Sequence, residues 1–296
     1  MKPPPFRYIR ADTLEQAVGT LAAHPGEGKI LAGGQSLMPM LNFRLLEPAC
    51  LVDINGIANL AGISEAAGQL RIGALTRHRD IETSSLIARH FPVLAAAVRH
   101  VAHMTIRNRG TFAGSLAHAD PAAELPLMAM LLDARIRVIG PKGERVLAAH
   151  DFFVAALTTA LRDDEIVTAI ELPYLPQPSG WAFEEVACRA GDYALAAAAV
   201  TFSQDQGHVR NARIALAGVA QTPIRATHAE AGLNGQALTA EAIAAAAITA
   251  AAACDPPGDL HASANFRRHL VEVLVRRCLT KAQQRLQGSQ NPGPLA

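Results

Sequence analysis

Cysteine is scarce in this chain of 296 residues: Cys50, Cys188, Cys254 and Cys278 are scattered, with no C-x-x-C pair. That spacing excludes the usual zinc and iron–sulfur ligand sets, and a disulfide framework is not expected in a chain this long. Tyrosine and tryptophan are equally rare, three and one, so a base-stacking platform is not expected. Charge of one sign is missing too: 27 basic against 26 acidic residues leave a net +1. A nucleic-acid or membrane-surface protein would show a basic face or block. The longest apolar runs are Ala-rich and too short to span a bilayer. The opening MKPPPFRYIRADTLEQ places proline and charge where a signal peptide needs an apolar stretch. The expectation is a soluble, cytoplasmic chain with no membrane span and no nucleic-acid partner. What is present is hydrophobicity: 50% of residues, enough for a sizeable core. The length suggests two domains.

Residues 12–23 space Leu14, Ala17, Val18 and Leu21 as an amphipathic helix, with Asp12 or Thr13 as the cap. A strand over 29–32, a turn at 33–36, a helix over 37–45 and a strand over 50–54 then make a compact βαβ unit. Pro39 falls in the first helical turn, where its missing N–H costs nothing. Strand 69–73 and helices near 77–83 and 93–102 follow. ARIRVIGPKGERVL reads as a hairpin around its GPKG turn. A strand over 165–172 leads into PYLPQPSG, whose three prolines mark the domain boundary. Beyond it lie strands over 181–188, 194–203 and 209–218, then three helices, the last two over 239–253 and 263–286. In the last helix Phe266, Leu270, Leu274, Cys278, Ala282 and Leu286 form one stripe. The fold class is α+β, with an amino-terminal domain over 1–176 (subdomains about 1–55 and 56–176). A smaller domain of three antiparallel strands and a helical bundle spans 177–288, and 289–296 forms a flexible tail.

Two stretches carry chemistry. Ala32-Gly33-Gly34-Gln35-Ser36 lies between a strand and a helix, where glycine lets backbone approach a ligand and N–H groups point outward, a geometry suited to phosphate. The same residues also make a plain tight turn. Neither the dinucleotide G-x-G-x-x-G nor the G-x-x-x-x-G-K-[ST] pattern occurs. Gly110-Thr111-Phe112-Ala113-Gly114-Ser115 reads as a second small-residue loop with two hydroxyls. Asp120-Pro121 follows as an N-cap with proline at the first helical position, and Glu124 one turn in. Together the two loops suit a nucleotide-like ligand. His100, His103 and His118 lack a carboxylate completing a metal motif, and no metal site is expected. Arg107 and Arg109 fit either a phosphate or a partner surface. Arg267, Arg268, Arg276, Arg277, Lys281 and Arg285 read as a solvated face of the last helix with its salt bridges, and less strongly as a docking patch.

A strand–AGGQSL–P–helix unit followed by R-N-R-G-T-x-x-G-S-L-x-x-A-D-P-x-x-x-x-P resembles the FAD-binding medium subunit of the molybdenum hydroxylases. This is the carbon monoxide dehydrogenase and xanthine dehydrogenase family. RAGDYALAAAAV and SANFRRHLVEVLVRRCL resemble that family's carboxy-terminal domain, so the likeness runs almost end to end. It implies an FAD-binding domain of the p-cresol methylhydroxylase-like type and a non-covalent FAD. By resemblance the pyrophosphate lies on Ala32, Gly33, Gly34, Gln35 and Ser36 and on Thr111, Gly114 and Ser115. Ile30, Leu31 and Leu37 complete the adenosine side. Asp120 and Glu124 match positions beside the ribityl and phosphate region, and Val101, Ile166 and Val167 match apolar positions around the flavin. Tyr193 in GDYA matches an aromatic near the isoalloxazine, the one residue with an implied catalytic place.

Three departures from the family pattern matter. Gln35 stands where carbon monoxide dehydrogenase has His. Phe112-Ala113 replaces the usual aliphatic-Gly, so the backbone must tolerate a Cβ at 113. Glu185, also counted with the flavin contacts, stands where several relatives have Lys, and cannot stabilise an anionic reduced flavin as Lys could. The implied function is electron transfer: FAD takes electrons from an iron–sulfur small subunit and passes them to an external acceptor. A molybdopterin large subunit carries out the substrate oxidation. The implied assembly is a heterohexamer of two trimers, with molybdopterin and clusters on the partners only. A stand-alone flavin-dependent oxidase or dehydrogenase of the same fold and a non-redox nucleotide-binding module are the alternatives.

Overall fold

In the computed structural model, residues 2–290 are described, and the chain forms two compact units. The first comprises 1–86, 103–119 and 133–173, and the second 87–102, 120–132 and 174–296. The second unit thus includes two segments that the linear reading gave to the amino-terminal domain.

In the first unit a parallel three-stranded sheet runs in the order Arg7–Arg10, Cys50–Asp53, Gly28–Leu31. The strand Arg7–Arg10 was not expected: its residues are mostly exposed, so it carries no alternating apolar signal. The helix Leu14–Ala23 begins where expected, with the Thr13 hydroxyl accepting from the Gln16 amide, and buries Ala17, Val18 and Leu21. The βαβ unit is Gly28–Leu31, Leu37–Asn42 and Cys50–Asp53. Its helix stops at Asn42 rather than 45, because Arg44 turns left-handed (φ 56°) and exposed Phe43 and Leu45 bury nothing that would prolong it. An antiparallel five-stranded sheet follows, ordered Ile63–Ala66, Gln69–Gly73, Ile166–Pro173, Arg135–Gly140, Gly143–Ala148. The hairpin of its last two strands is the one expected. Its central strand is buried along nearly its whole length, which is why IVTAIEL reads as a continuous apolar run.

The second unit has a four-stranded antiparallel sheet: Ser179–Ala187, Ala194–Asp205, His208–Ala217 and Ile224–Arg225. The fourth strand, two residues long, corrects the expected three; it is too short to show a period. Alanine-rich Ala194–Asp205 keeps the sheet surface low, and the long helix Ala264–Gln290 packs on it through Leu270, Leu274, Cys278, Ala282 and Leu286. Phe266, expected in that stripe, is 46% exposed. The helix also runs past 286 to Gln290, into the expected tail; 291–296 lie outside the described residues. Arg267 is buried rather than solvated: it donates to the carbonyls of Leu195 and Gly218 and pairs with Asp259 at 2.7 Å. The others keep an exposed face, with Arg276 on Glu272, Lys281 on Glu184, and Arg285 stacked 3.7 Å over the Trp181 ring. The helix Glu124–Leu131 is buried at every position, and packs on Pro92–Val98 and on the sheet.

At Gly180 the sheet and long helix come closest: a Cβ there would lie 2.5 Å from the Ala282 carbonyl oxygen. Gly180→Ala should therefore destabilise the protein by about 1–3 kcal/mol through overpacking, read as a lower chemical-denaturation midpoint. An unchanged midpoint would mean the helix moves aside freely.

Candidate functional site

The expected site residues fall into two sets, one in each unit. The first unit holds Ile30–Leu37, Thr111, Gly114, Ser115, Ile166 and Val167; the second holds Val101, Asp120, Glu124, Glu185 and Tyr193.

In the first unit the strand Gly28–Leu31 ends and the chain turns at Gly34, whose φ of 72° is left-handed. Among the described residues, the backbone amides of Gly33, Gly34, Gln35 and Ser36 have no protein acceptor. A run of unspent N–H groups at a turn is a feature that can cradle an anion. Gln35 turns its side-chain amide onto the Gly33 carbonyl at 3.2 Å, so its hydrogen-bonding capacity shapes the turn. Ser36 caps the helix Leu37–Asn42 without a side-chain bond.

The stretch 110–115 is not a loop but the start of a helix, Phe112–His118. Buried Phe112 and Leu116 give it an apolar face that the small residues had masked. The Thr111 hydroxyl accepts from the Gly114 amide at 3.0 Å, and the Thr111 carbonyl from the Ser115 amide, so this segment offers fewer donors than expected. Ala113 lies inside the helix, outside the left-handed residues, so its Cβ is accommodated without strain. The two segments touch directly: a Cβ on Gly33 would lie 2.4 Å from the Arg109 carbonyl oxygen and 2.8 Å from Gly110 Cα. Ile166 belongs to the core cluster against which Ile30 and Ala32 pack, so it supports the turn from below.

Sequence reasoning missed Asn55, Arg77 and His78. Arg77 donates to the Arg109 carbonyl at 2.6 Å and to Asn55 Oδ1 at 2.7 Å, while Asn55 Nδ2 donates to the Ala32 carbonyl at 2.9 Å. His78 donates its amide to the Gly110 carbonyl, and its ring lies against Gly110, where a Cβ would come within 2.8 Å. Burial, with the charges of Arg107 and Arg77, pushes its pKa down to about 4 against a backbone contribution from Thr111, so the ring is neutral at pH 7. Arg107 pairs with Glu82 at 3.1 Å. The signal available was only Asn55-Gly56 after a strand and Arg77-His78 before a helix; nothing in spacing joins them.

In the second unit, Asp120 is not an N-cap. Its Oδ1 accepts from the Ala122 amide, and the helix begins at Glu124 with Ala123 as cap, because the Asx turn delays helical geometry by one turn. Glu124 is buried, and its pKa rises to about 7, first through desolvation and further through the charges of Glu185 and Asp120, against its own backbone amide and His100. The Glu185 side chain is only 7% exposed and accepts from His100 Nδ1 at 2.9 Å; this carboxylate raises the His100 pKa. The Phe183 ring meets His100 edge-on at 5.0 Å. Tyr193 is 55% exposed on the turn joining Ser179–Ala187 to Ala194–Asp205. Gly191 of that turn packs on the Ala102 backbone, which brings the Tyr193 turn beside Val101. Among the described residues no three His, Cys, Asp or Glu side chains are grouped to hold a metal, and no helix is long and apolar enough to cross a membrane.

Free amides at the end of a strand on an α+β unit, in a chain that also has a sheet-and-helix unit, are compatible with a protein that holds a phosphate-bearing cofactor. Residues 4–175 match the family described as the FAD binding domain in molybdopterin dehydrogenase, and 181–282 match the CO dehydrogenase flavoprotein C-terminal domain. The 6-hydroxypseudooxynicotine dehydrogenase complex subunit alpha of Paenarthrobacter nicotinovorans is 42% identical over 96% of this chain and 97% of its own. The structure of carbon monoxide dehydrogenase from Hydrogenophaga pseudoflava lacking the Mo-pyranopterin moiety superposes with a TM-score of 0.94, at 38% identity over 96% and 99% of the two chains. Quinoline 2-oxidoreductase from Pseudomonas putida 86 gives a TM-score of 0.92, at 37% identity over 97% and 100%. The chain belongs to the FAD-binding medium subunits of the molybdopterin dehydrogenases, the CO dehydrogenase and xanthine dehydrogenase family. It is an oxidoreductase flavoprotein subunit, which sets aside the non-redox binding module.

Glu124 carries a pH signature. Its folded pKa of about 7 lies above its ordinary 4.5, so the native state binds the proton more tightly. The stability this group contributes is complete below about pH 4.5 and is lost as pH rises through about 7. Glu124→Gln should therefore gain on the wild type between pH 5 and pH 8, by up to about 3 kcal/mol in unfolding free energy. Denaturation curves at the two pH values test this; a difference that does not change with pH would contradict it.

Proposed function

We propose that this chain is the electron-transfer subunit of a molybdenum hydroxylase, holding FAD non-covalently. It takes electrons from an iron–sulfur small subunit and delivers them to an external acceptor, while a molybdopterin large subunit oxidises the substrate. The proposed assembly is a heterohexamer of two such trimers. The run of unspent amides at Gly33–Ser36 carries this reading, because the diphosphate of FAD is the anion that a cradle of this kind neutralises. When bound, FAD supplies the ability to accept two electrons and release them singly.

This chain's residues provide the rest. The turn Ala32–Ser36 and the helix start at Thr111, Gly114 and Ser115 bind the diphosphate, with Ile30, Leu31 and Leu37 on the adenosine side. Ile166 and Val167 give an apolar support. The proposed contacts from the second unit are Val101, Asp120, Glu124, Glu185 and Tyr193, each resting on the resemblance of its motif. Glu185 cannot offer the positive charge a lysine would, yet it holds a protonatable His100 at 2.9 Å, which offsets its charge locally.

Two substitutions test the cradle. Gly33→Asp puts a carboxylate against the diphosphate, but also a Cβ against Arg109. Ser36→Asp adds the same charge at a helix N-cap, where aspartate is well tolerated. Both should weaken FAD binding by at least about a hundredfold, from like-charge repulsion at short range, while Ser36→Asp keeps a wild-type melting temperature. A folded Ser36→Asp protein that retains stoichiometric FAD at wild-type affinity would overturn the assignment.

The isolated chain should reduce artificial acceptors when given a chemical reductant, and oxidise an organic substrate only once the two partner subunits are added. Turnover of an organic substrate by the single chain would favour a stand-alone flavin oxidase.

A further inference from the structure

One chain of hydrogen bonds runs beneath the two diphosphate-facing segments. Tyr8 donates its hydroxyl to Asp53 Oδ2 at 2.6 Å. Asp53 Oδ1 accepts from Asn55 Nδ2 at 2.6 Å, and the same Nδ2 reaches the Ala32 carbonyl at 2.9 Å. Asn55 Oδ1 accepts from Arg77 Nη2 at 2.7 Å, and Arg77 Nη1 donates to the Arg109 carbonyl at 2.6 Å. The residues joined at the two ends, Ala32 and Arg109, immediately precede Gly33 and Gly110, where the segments touch. Arg77 is also fixed through its own backbone, whose amide donates to Asp80 Oδ2.

Two features separate this arrangement from a surface salt bridge. Both acceptors of the Arg77 guanidinium are neutral, a peptide carbonyl and a carboxamide oxygen, and among the described residues Arg77 has no ion pair. Its positive charge is therefore not cancelled by direct contact with a carboxylate. A planar fork is also suited to holding two oxygens in a fixed relation, which a lysine ammonium does only loosely.

We infer that Arg77, oriented by Asn55, is a positioning residue for the FAD site: it locks the Arg109–Ser115 segment onto the Ala32–Ser36 turn and holds its positive charge, moderated by nearby Asp53 and Asp80, beside the diphosphate cradle. The inference rests on the reading of that turn as the diphosphate site. Without the guanidinium the segments lose their shared tie, and the amides of Gly33–Ser36 lose the geometry in which they converge on one anion.

The test is FAD titration of the full-length apoprotein by flavin fluorescence, with circular dichroism and thermal melting of each variant. Arg77→Gln should raise the dissociation constant by about tenfold to a hundredfold, the range for a lost hydrogen-bonded charge. Arg77→Lys should recover part of it, and Asn55→Ala should show a smaller loss. The double variant Asn55→Ala/Arg77→Gln should bind no worse than Arg77→Gln, since both act through one tie. At saturating FAD the visible spectrum of each variant should match the wild type, because only the diphosphate end is disturbed. Additive losses, an altered flavin spectrum, or a fall in affinity that merely tracks a fall in melting temperature would overturn the inference and leave Arg77 a general structural residue. Ser36→Asp separates the two levels. If it abolishes binding and Arg77→Gln does not change it, Arg77 has no positioning role; if Ser36→Asp binds normally, the diphosphate reading fails and the inference with it.

Discussion

Gly33 and the Arg109–Gly110 peptide approach so closely that even one methyl group would overlap them. Most of the first unit's architecture can be understood as maintaining that approach. The parallel sheet delivers the Gly28–Leu31 strand end to one side, and the short helix Met104–Arg107 with its closing turn delivers Gly110 to the other. Carbonyls left over at the junction are claimed by Asn55 and Arg77, and the Gly110 carbonyl by the His78 amide. With the carbonyls spent on the scaffold side, the N–H groups of Gly33–Ser36 are the backbone polarity that remains. These residues are only partly buried, so the free donors face an open edge of the turn where water or an anion can reach them.

The second unit applies a different economy of charge. The Glu124 and Glu185 side chains are both largely withdrawn from water, and His100, half-exposed, stands near them with a compensating charge. At neutral pH Glu124 therefore keeps a substantial share of the proton that an exposed carboxylate would have released. Arg267 shows the opposite solution: a buried cation whose two terminal nitrogens are held by two carbonyls and one aspartate. In each case burial alone would be prohibitive, and hydrogen-bond geometry decides which form survives.

Local pattern made much of this legible. The Thr13 cap, the βαβ unit, the GPKG hairpin and the long strands after the proline-rich stretch follow from period, turn chemistry and capping, and appear within a few residues of expectation. Features that depend on tertiary partners did not show. Arg7–Arg10 becomes a strand only because Cys50–Asp53 offers it an edge. Arg267 reads like its solvated neighbours until a sheet end needs a donor. The stretch after Thr111 looked like a loop because alanine, glycine and serine obscure the apolar face that Phe112 and Leu116 bury. At the site, glycine pairs announce a close approach, but Asn55 and Arg77, which set that approach, are ordinary polar residues far apart in sequence.

The helix Glu124–Leu131 also constrains how the chain can be made. Pro92–Val98 covers part of its apolar surface, but the rest is covered by strands that begin at residue 194 and beyond, so it leaves the ribosome before that part of its shelter exists. Until Ala194–Asp205 and His208–Ala217 are synthesised, a nascent chain must carry this helix only partly covered, by Pro92–Val98. Such long-range closure slows folding and exposes sticky surface meanwhile. The proline-rich linker is thus a poor place to cut. A fragment ending there would keep the cradle's residues but trail an apolar helix left partly uncovered, and would aggregate where the intact chain folds.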